Sequence, residues 1–165
     1  MADDAYNILF LCTRNSARSV MAEAIVNREG RGVFHALSAG TQPAGEVRPE
    51  VVRLLRKMDC NPDGAYSKSL KDLIRTHMPE PDFLITFCDQ SVEKTCPVWP
   101  GHPMTALWPM ADPGAPDRSG AARDRAYADL FRTLKQRLTA FMGQPKDRLD
   151  RMSLRSSLGS IEMMN

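Results

Sequence analysis

The apolar residues of this chain follow two alternating spacings along its length. A continuous apolar run at residues 8–11 predicts a buried strand, and the apolar positions of residues 20–25 have a helical spacing. The same patterns recur, predicting further helices over the apolar positions of residues 51–58 and 127–141 and further strands at residues 33–39, 83–87 and 105–108. Alternating strands and helices predict an α/β fold in which helices cover both faces of a parallel sheet.

The length of the chain indicates one domain. With 165 residues, 42% of them hydrophobic, the chain can bury the core of one ordinary globular unit. We assign this domain to residues 1–142, where the strand and helix patterns lie. After Gly143 the sequence is rich in Lys, Arg, Ser and Met and keeps only a weakly amphipathic stretch at residues 149–158. Residues 143–165 are therefore predicted to be a mobile or partner-dependent extension.

Charge and hydropathy argue against two classes of partner. The net charge is +2, and the 22 basic residues are spread along the chain, which argues against a nucleic-acid partner. No apolar stretch approaches the roughly 20 residues that span a bilayer, and the N-terminal residues lack the basic start of a secretory signal. We expect a cytoplasmic monomer that acts on a small molecule. In a reducing compartment its four cysteines suit catalysis, redox chemistry or metal binding better than permanent disulfides.

The turn between the first predicted strand and helix has the pattern Cys-x5-Arg-Ser. Cys12 ends the strand, and Arg18 and Ser19 open the helix. A loop in this position directs backbone N–H groups and the positive end of the helix dipole at one point, which favours a tetrahedral oxyanion. The same field favours the thiolate of Cys12, the nucleophilic form of a cysteine. The predicted oxyanion-binding residues are Thr13, Arg14, Asn15, Ser16, Ala17, Arg18 and Ser19.

Several side chains of this loop have distinct predicted roles. Arg18 can donate two parallel hydrogen bonds to the anion, a geometry that lysine cannot match. Asn15 can hold the loop in shape, and Ser19 can donate to the sulfur of Cys12. Two alternatives stay open. The alternative for Cys12 is that it is a buried structural thiol. The alternative for Arg14 is that it is an exposed loop residue rather than one that steers the substrate.

Asp112 is the candidate general acid. With Pro113 it follows the fourth predicted strand, at the same carboxyl edge of the sheet as Cys12. A carboxylic acid there can protonate the oxygen that leaves when Cys12 attacks. The alternative is a solvated turn residue, since Asp-Pro pairs are common in turns, and Asp117 is a nearby competitor for the role of acid.

Two further cysteines suggest redox chemistry. Cys88 ends the third predicted strand, and Cys96 lies in the proline-rich segment that follows it. If the first and third strands are neighbours in the sheet, a short movement would bring Cys88 to Cys12, and Cys96 could then reach Cys88. Alternatively, Cys88 belongs to the core and Cys96 is an incidental loop residue. The spacing of Cys88, Cys96 and His102 does not form paired zinc ligands, so we predict no metal site.

These motifs together resemble a known family. Residues 7–11 followed by the sequence CTRNSARS resemble the low-molecular-weight protein tyrosine phosphatase family and its arsenate reductase branch. Residues 38–41, 87–89, 96–105 and 112–113 are also similar to that branch, so the resemblance covers roughly residues 5–142. It implies a single three-layer domain with a four-stranded parallel sheet flanked by helices, in which the first strand lies between the second and the third.

The resemblance implies an arsenate reductase that converts arsenate to arsenite in arsenic detoxification. Cys12 would form a covalent adduct with arsenate, Cys88 would attack Cys12 as arsenite leaves, and Cys96 would complete a Cys88–Cys96 disulfide. No bound cofactor is implied. An external thiol reductant is required, either thioredoxin or glutathione with glutaredoxin, and phosphate or sulfate would compete with arsenate for the loop.

Two other functions fit the same residues. A phosphotyrosine or phosphomonoester phosphatase would also use Cys12, Arg18 and Asp112, although residues 114–116 offer no aromatic wall for a phenyl ring. A non-catalytic oxyanion or redox sensor would bind the anion without turnover. The chain also departs from a potassium-binding subset of the reductases, because Lys68 stands where an acidic ligand would help.

Overall fold

The structure is a computed structural model that describes residues 5–62, 66–87, 104–108, 110, 113 and 120–154, with residues 104–107 and 151–154 as backbone. In chain order its elements are β1 (Tyr6–Cys12), α1 (Arg18–Glu29), β2 (Phe34–Gly40), α2 (Pro49–Lys57), α3 (Leu70–Arg75), β3 (Phe83–Thr86), β4 (Met104–Leu107), α4 (Gly120–Met142) and α5 (Lys146–Leu154). None of the helices in these ranges is both long enough and apolar enough to cross a membrane.

The strands form one parallel sheet in the order β2-β1-β3-β4. β1 is an apolar run because both of its faces are covered, and its residues are buried almost throughout. It lies between β2 and β3, with Cys12 opposite Gly40 and Leu11 opposite Thr86. The predicted α/β fold with a parallel sheet is confirmed. Because the strands are parallel, their carboxyl ends meet at the edge of the sheet where Cys12 lies.

Successive residues of β1 face opposite sides of the sheet and belong to two apolar clusters. Ile8 and Phe10 pack with side chains of α1, α2 and α4 on one face. Leu9 and Leu11 pack with the leucines of α3 on the other face. Helices therefore cover both faces of the sheet, and the larger cluster fixes α1 against β1. The loop between these two elements is held at both of its ends.

The outer edge of β2 is closed by polar groups. Ala36 exchanges two hydrogen bonds with the side-chain amide of Asn27, at 2.8 and 3.0 Å. Farther along the strand, the N–H of Gly40 donates to the carbonyl group of Lys68 at 2.8 Å. These contacts satisfy backbone groups that an edge strand would otherwise present to other chains. They also fix Lys68 beside the carboxyl end of β2.

Two helices differ from what the sequence pattern predicted. α3 has only 6 residues, too few for a helical spacing of apolar residues to be recognised. α5 lies where a mobile extension was predicted, yet Leu149 is buried in the core and the Tyr6 hydroxyl donates to the Asp150 carboxylate. Burial and this hydrogen bond raise the pKa of Tyr6 to about 12. Residues 146–154 thus dock on the domain, while the division of the chain at residue 142 stays a prediction.

Candidate active site

The candidate nucleophile, Cys12, ends β1 and is 2% exposed. Residues 13–17 form the loop that leads into α1, which begins at Arg18. At this end of α1, Ala17 has no side-chain acceptor, and the first turn contains no acidic residue. The N–H groups and the positive dipole end of α1 are therefore directed at the loop without a competing carboxylate from the helix itself.

A neighbouring segment fixes the direction of the peptide groups in this anion loop, residues 12–18. Residues 41–48, which follow β2, donate backbone hydrogen bonds of 2.8 to 3.4 Å to carbonyl groups of the loop. The accepting carbonyl groups are those of Cys12, Thr13, Arg14 and Ser16. The C=O and N–H of a trans peptide point in opposite directions. In each of these peptide groups the N–H belongs to the following residue, and it therefore points away from residues 41–48.

Asn15 shows where these N–H groups point, because its N–H donates to the sulfur of Cys12 at 3.2 Å. Consecutive N–H groups that turn to one side of a loop form an anion-binding concavity. The loop therefore presents its donors on the side where the sulfur lies. A tetrahedral oxyanion bound there would meet both the donors and the nucleophile.

Gly40 lets the anion loop cross the end of β2. A Cβ at this position would lie 2.7 Å from the carbonyl oxygen of Thr13 and 3.1 Å from the Cβ of Asn15. Asn15 itself has a positive φ of 47°, a conformation that asparagine adopts more readily than most residues. The close approach of the two segments thus requires glycine at one position and favours asparagine at the other.

Asn15 is linked to the sulfur of Cys12 through the hydroxyl group of Ser19, and Lys68 sets the orientation of the Asn15 amide. The N–H of Lys68 donates to Asn15 Oδ1 at 2.6 Å, so the amide nitrogen of Asn15 faces Ser19 Oγ and donates to it at 2.7 Å. Ser19 Oγ, which accepts that bond, lies 2.8 Å from Cys12 Sγ. The serine hydroxyl can therefore direct its own hydrogen at the sulfur and stabilise a thiolate there.

Behind the loop, Lys68 and Glu23 form a buried ion pair. Lys68 Nζ lies 3.5 Å from Glu23 Oε1, and the two side chains are 5% and 13% exposed. The same ammonium group donates to the carbonyl oxygen of Tyr66 at 3.0 Å. Burial raises the pKa of Glu23, and the Lys68 ammonium and hydrogen bonds from Ser38 oppose that rise. The ammonium group thus balances a buried carboxylate beneath the anion loop.

Arg18 connects the anion loop to the ends of β3 and β4. Its Nη1 donates to the carbonyl group of Phe87 at 3.3 Å and to that of Met110 at 3.0 Å. Phe87 directly follows β3, and Met110 lies three residues beyond β4. Both bonds come from one nitrogen of a group that carries five N–H donors. The guanidinium group therefore reaches across the carboxyl edge of the sheet and keeps donors for an anion in the loop.

The structure brings some of the predicted site residues together. Cys12, Asn15 and Ser19 are in direct contact, and Arg18 lies at the same edge of the sheet. The side chain of Arg14 is exposed. Thr13, Ser16 and Ala17 lie in the loop itself. Outside the described residues lie Cys88, Cys96 and Asp112, together with the alternatives Asp117 and His102.

The roles of Gly40 and Lys68 in the site were not predicted from the sequence. Both act through contacts between segments that are distant along the chain, and no local pattern of residue types indicates such contacts. The polar residues next to Lys68 in the sequence did not indicate a role for it in the site. Within the described ranges, no group of three His, Cys, Asp or Glu side chains could hold a metal ion. The absence of a metal site in the whole protein stays a prediction.

Comparison with known proteins agrees with this geometry. A family model described as low molecular weight phosphotyrosine protein phosphatase matches residues 7–153. The arsenate reductase of Staphylococcus xylosus is 32% identical over 124 residues, which is 74% of this chain and 89% of the relative. A solved arsenate reductase from Archaeoglobus fulgidus is 27% identical, with a TM-score of 0.60, and covers 83% of this chain and 99% of its own.

A tyrosine phosphatase of Erwinia amylovora has the same fold, with a TM-score of 0.63 at 17% identity over 85% of this chain and 95% of its own. The resemblance indicated by the sequence motifs is confirmed by these matches, since the family model spans most of the chain and the reductase of Staphylococcus xylosus matches along most of its own length. The chain belongs to the low molecular weight phosphotyrosine protein phosphatase family.

Proposed function

We propose that this protein is an arsenate reductase that converts arsenate to arsenite. The observation that carries the proposal is the setting of Cys12, whose sulfur receives the N–H of Asn15 and lies 2.8 Å from the Ser19 hydroxyl inside the anion loop. Such a setting suits a thiolate that attacks a tetrahedral oxyanion. Two relatives that are 32% and 31% identical to this chain are named arsenate reductases, which supports this choice of substrate.

In the first step the Cys12 thiolate attacks arsenic(V), which the loop N–H groups and the guanidinium group of Arg18 hold in place. A sulfur–arsenic bond forms as an arsenic–oxygen bond breaks. Asp112 supplies the proton with which an arsenate hydroxyl leaves as water. Met110, two residues before Asp112, accepts a hydrogen bond from Arg18, and this contact supports the assignment of the acid.

In the second step the Cys88 thiolate attacks the sulfur of Cys12. A sulfur–sulfur bond forms, the electron pair of the sulfur–arsenic bond passes to arsenic, and arsenic(V) leaves as arsenite, an arsenic(III) species. Cys96 then attacks Cys88, releases the Cys12 thiolate and leaves a Cys88–Cys96 disulfide. Phe87, the residue before Cys88, accepts a hydrogen bond from Arg18, which supports a place for Cys88 close to the anion loop.

An external thiol reductant closes the cycle, with no bound cofactor. Thioredoxin is favoured over glutathione with glutaredoxin, because a dithiol protein can reduce a protein disulfide by direct exchange. The glutathione route needs only Cys12 and one further thiol, whereas this chain supplies both Cys88 and Cys96. Phosphate and sulfate have the same tetrahedral shape and compete with arsenate for the anion loop.

Hydrolysis of phosphomonoesters is the second candidate function, because the matching family model is described by phosphatase activity. In that reaction water, rather than Cys88, would break the adduct on Cys12. Residues 44–48, which lie against the anion loop, include no aromatic side chain that could hold a phenyl ring. We therefore expect slow hydrolysis of para-nitrophenyl phosphate and very little of phosphotyrosine peptides.

Measuring arsenite release and phosphate release side by side tests the proposal. Wild-type protein with arsenate and a thiol reductant should release arsenite much faster than it releases phosphate from a phosphotyrosine peptide. Cys12→Ser should release neither, yet still bind phosphate, because the loop N–H groups and Arg18 remain. Cys60→Ala, at a buried cysteine that follows α2, is the matched control and should stay active. Arsenite production by Cys12→Ser would rule out the assigned nucleophile.

A further inference from the structure

A polar recess of about 400 Å³ opens beside the anion loop. Among the residues that the structure describes, its charged lining consists of three arginines and two glutamates, namely Arg14, Arg48, Arg123, Glu46 and Glu50. Their formal charge is +1, the difference between three positive and two negative groups. This outer recess therefore differs from the anion loop itself, where backbone N–H groups supply most of the donors.

Separate elements bring the three guanidinium groups to the outer recess. Arg14 belongs to the anion loop, Arg48 directly precedes α2, and Arg123 lies in the first turn of α4. The loop itself holds the backbone of Arg48, whose N–H donates to the carbonyl group of Ser16 at 3.1 Å. Ser16, which is 6% exposed, belongs both to the anion loop and to the wall of the recess. The two sites are therefore adjacent.

We propose that the outer recess is a second binding site for a doubly charged tetrahedral oxyanion, which it captures before the anion reaches Cys12. Guanidinium groups match pairs of oxygen atoms on such anions. The class of ligand is inferred from the three guanidinium groups that line the recess, whereas its identity as arsenate rests on the proposed function. A charged and polar recess beside the anion loop would favour a bare oxyanion over an aromatic ester.

The balance of charge in the outer recess makes each arginine important. Among the described lining residues Glu46 and Glu50 leave an excess of one positive charge, so the loss of one arginine brings the formal charge of this set from +1 to 0. A positive recess raises the local concentration of a dianion and speeds its capture. Salt screens this effect, since the Debye length falls from about 10 Å at 0.1 M to about 3 Å at 1 M. The proposal thus predicts a capture step that depends on salt.

Equilibrium dialysis of reduced wild-type protein against radiolabelled inorganic phosphate counts the sites. Wild-type protein should bind two phosphates per chain, one in the anion loop and one in the outer recess. Arg123→Gln and, separately, Arg48→Gln should each bind only one. Arg125→Gln removes the same charge at an exposed position of α4 that does not line the recess, and it should still bind two.

The outcomes separate this inference from the proposed function. One phosphate bound to wild-type protein, or two bound to both Arg123→Gln and Arg48→Gln, would overturn the outer site and leave the anion loop intact. No phosphate bound at all would count against both sites. In the arsenate assay, Arg123→Gln should lower kcat/KM about threefold at low salt and less at high salt. An equal loss at both salt concentrations would contradict capture by charge.

Discussion

The inner side of the anion loop is buried, whereas its outer side faces solvent. The inner residues, none of them more than 5% exposed, are Cys12, Asn15, Ser19 and Lys68. Short directional hydrogen bonds of 2.6 to 2.8 Å join them. The outer side instead collects arginines that are exposed or half-buried around a recess of about 400 Å³. The inner side is therefore positioned by directional hydrogen bonds, whereas the outer side would act on an anion through its charge.

This difference separates two requirements of the proposed reaction. A buried donor or acceptor that loses its partner costs about 1–3 kcal/mol, so changes on the inner side should be severe and insensitive to salt. Charges around the outer recess are screened over about 10 Å at 0.1 M salt. Substitutions there should therefore have mild effects that depend on salt. The chemical step and the capture of the anion would then respond to different perturbations.

Arg18→Lys should have the largest effect, because lysine keeps the charge but loses the planar fork. We expect kcat for arsenate to fall about a hundredfold, the scale on which the loss of one preorganised donor acts in enzymes. Salt should change this loss little. Steady-state kinetics at two salt concentrations measure it, with Arg53→Lys at an exposed position of α2 as the matched control. Activity above about half of the wild-type value would contradict the role of the fork.

Lys68→Met should have a smaller effect, which appears first in stability. The substitution leaves the Glu23 carboxylate buried without its ammonium partner, at a cost of about 3 kcal/mol. Urea unfolding measures this loss, and Lys71→Met, at an exposed position of α3, should cost little. Adding Glu23→Gln to Lys68→Met should recover much of the stability, because it removes the stranded charge. Failure of the double variant to recover would show that the pair does not act as a unit.

The same ion pair predicts how stability depends on pH. Burial raises the pKa of Glu23 above its usual value of 4.5, so folding favours the protonated carboxyl. Its contribution to stability is full below the unfolded pKa and is lost as the pH rises through the folded pKa. Without Lys68 the pKa of Glu23 rises further. Lys68→Met should therefore lose more stability than wild-type protein as the pH rises from 4.5 towards neutrality, and equal profiles would contradict the pairing.

The sequence predicted those parts of the site that depend on local pattern. The strand, loop and helix around Cys12 follow from apolar spacing and from the Cys-x5-Arg-Ser motif. The role of Lys68 could not be predicted, because it depends on how its backbone packs against Asn15 and Gly40 across the fold. α5 escaped prediction for a related reason, since Leu149, its one core residue among those whose side chains are described, lies between charged residues.

A single turnover of arsenate by fully reduced protein, followed by mass-spectrometric mapping of the disulfides, tests the account most directly. Wild-type protein should release arsenite and contain a Cys88–Cys96 disulfide. Cys96→Ser should complete the one turnover and then retain a Cys12–Cys88 bond, because the last exchange has no thiol to perform it. Arsenite release without any disulfide at Cys88, or normal cycling of Cys96→Ser with glutathione and glutaredoxin, would contradict the three-cysteine mechanism.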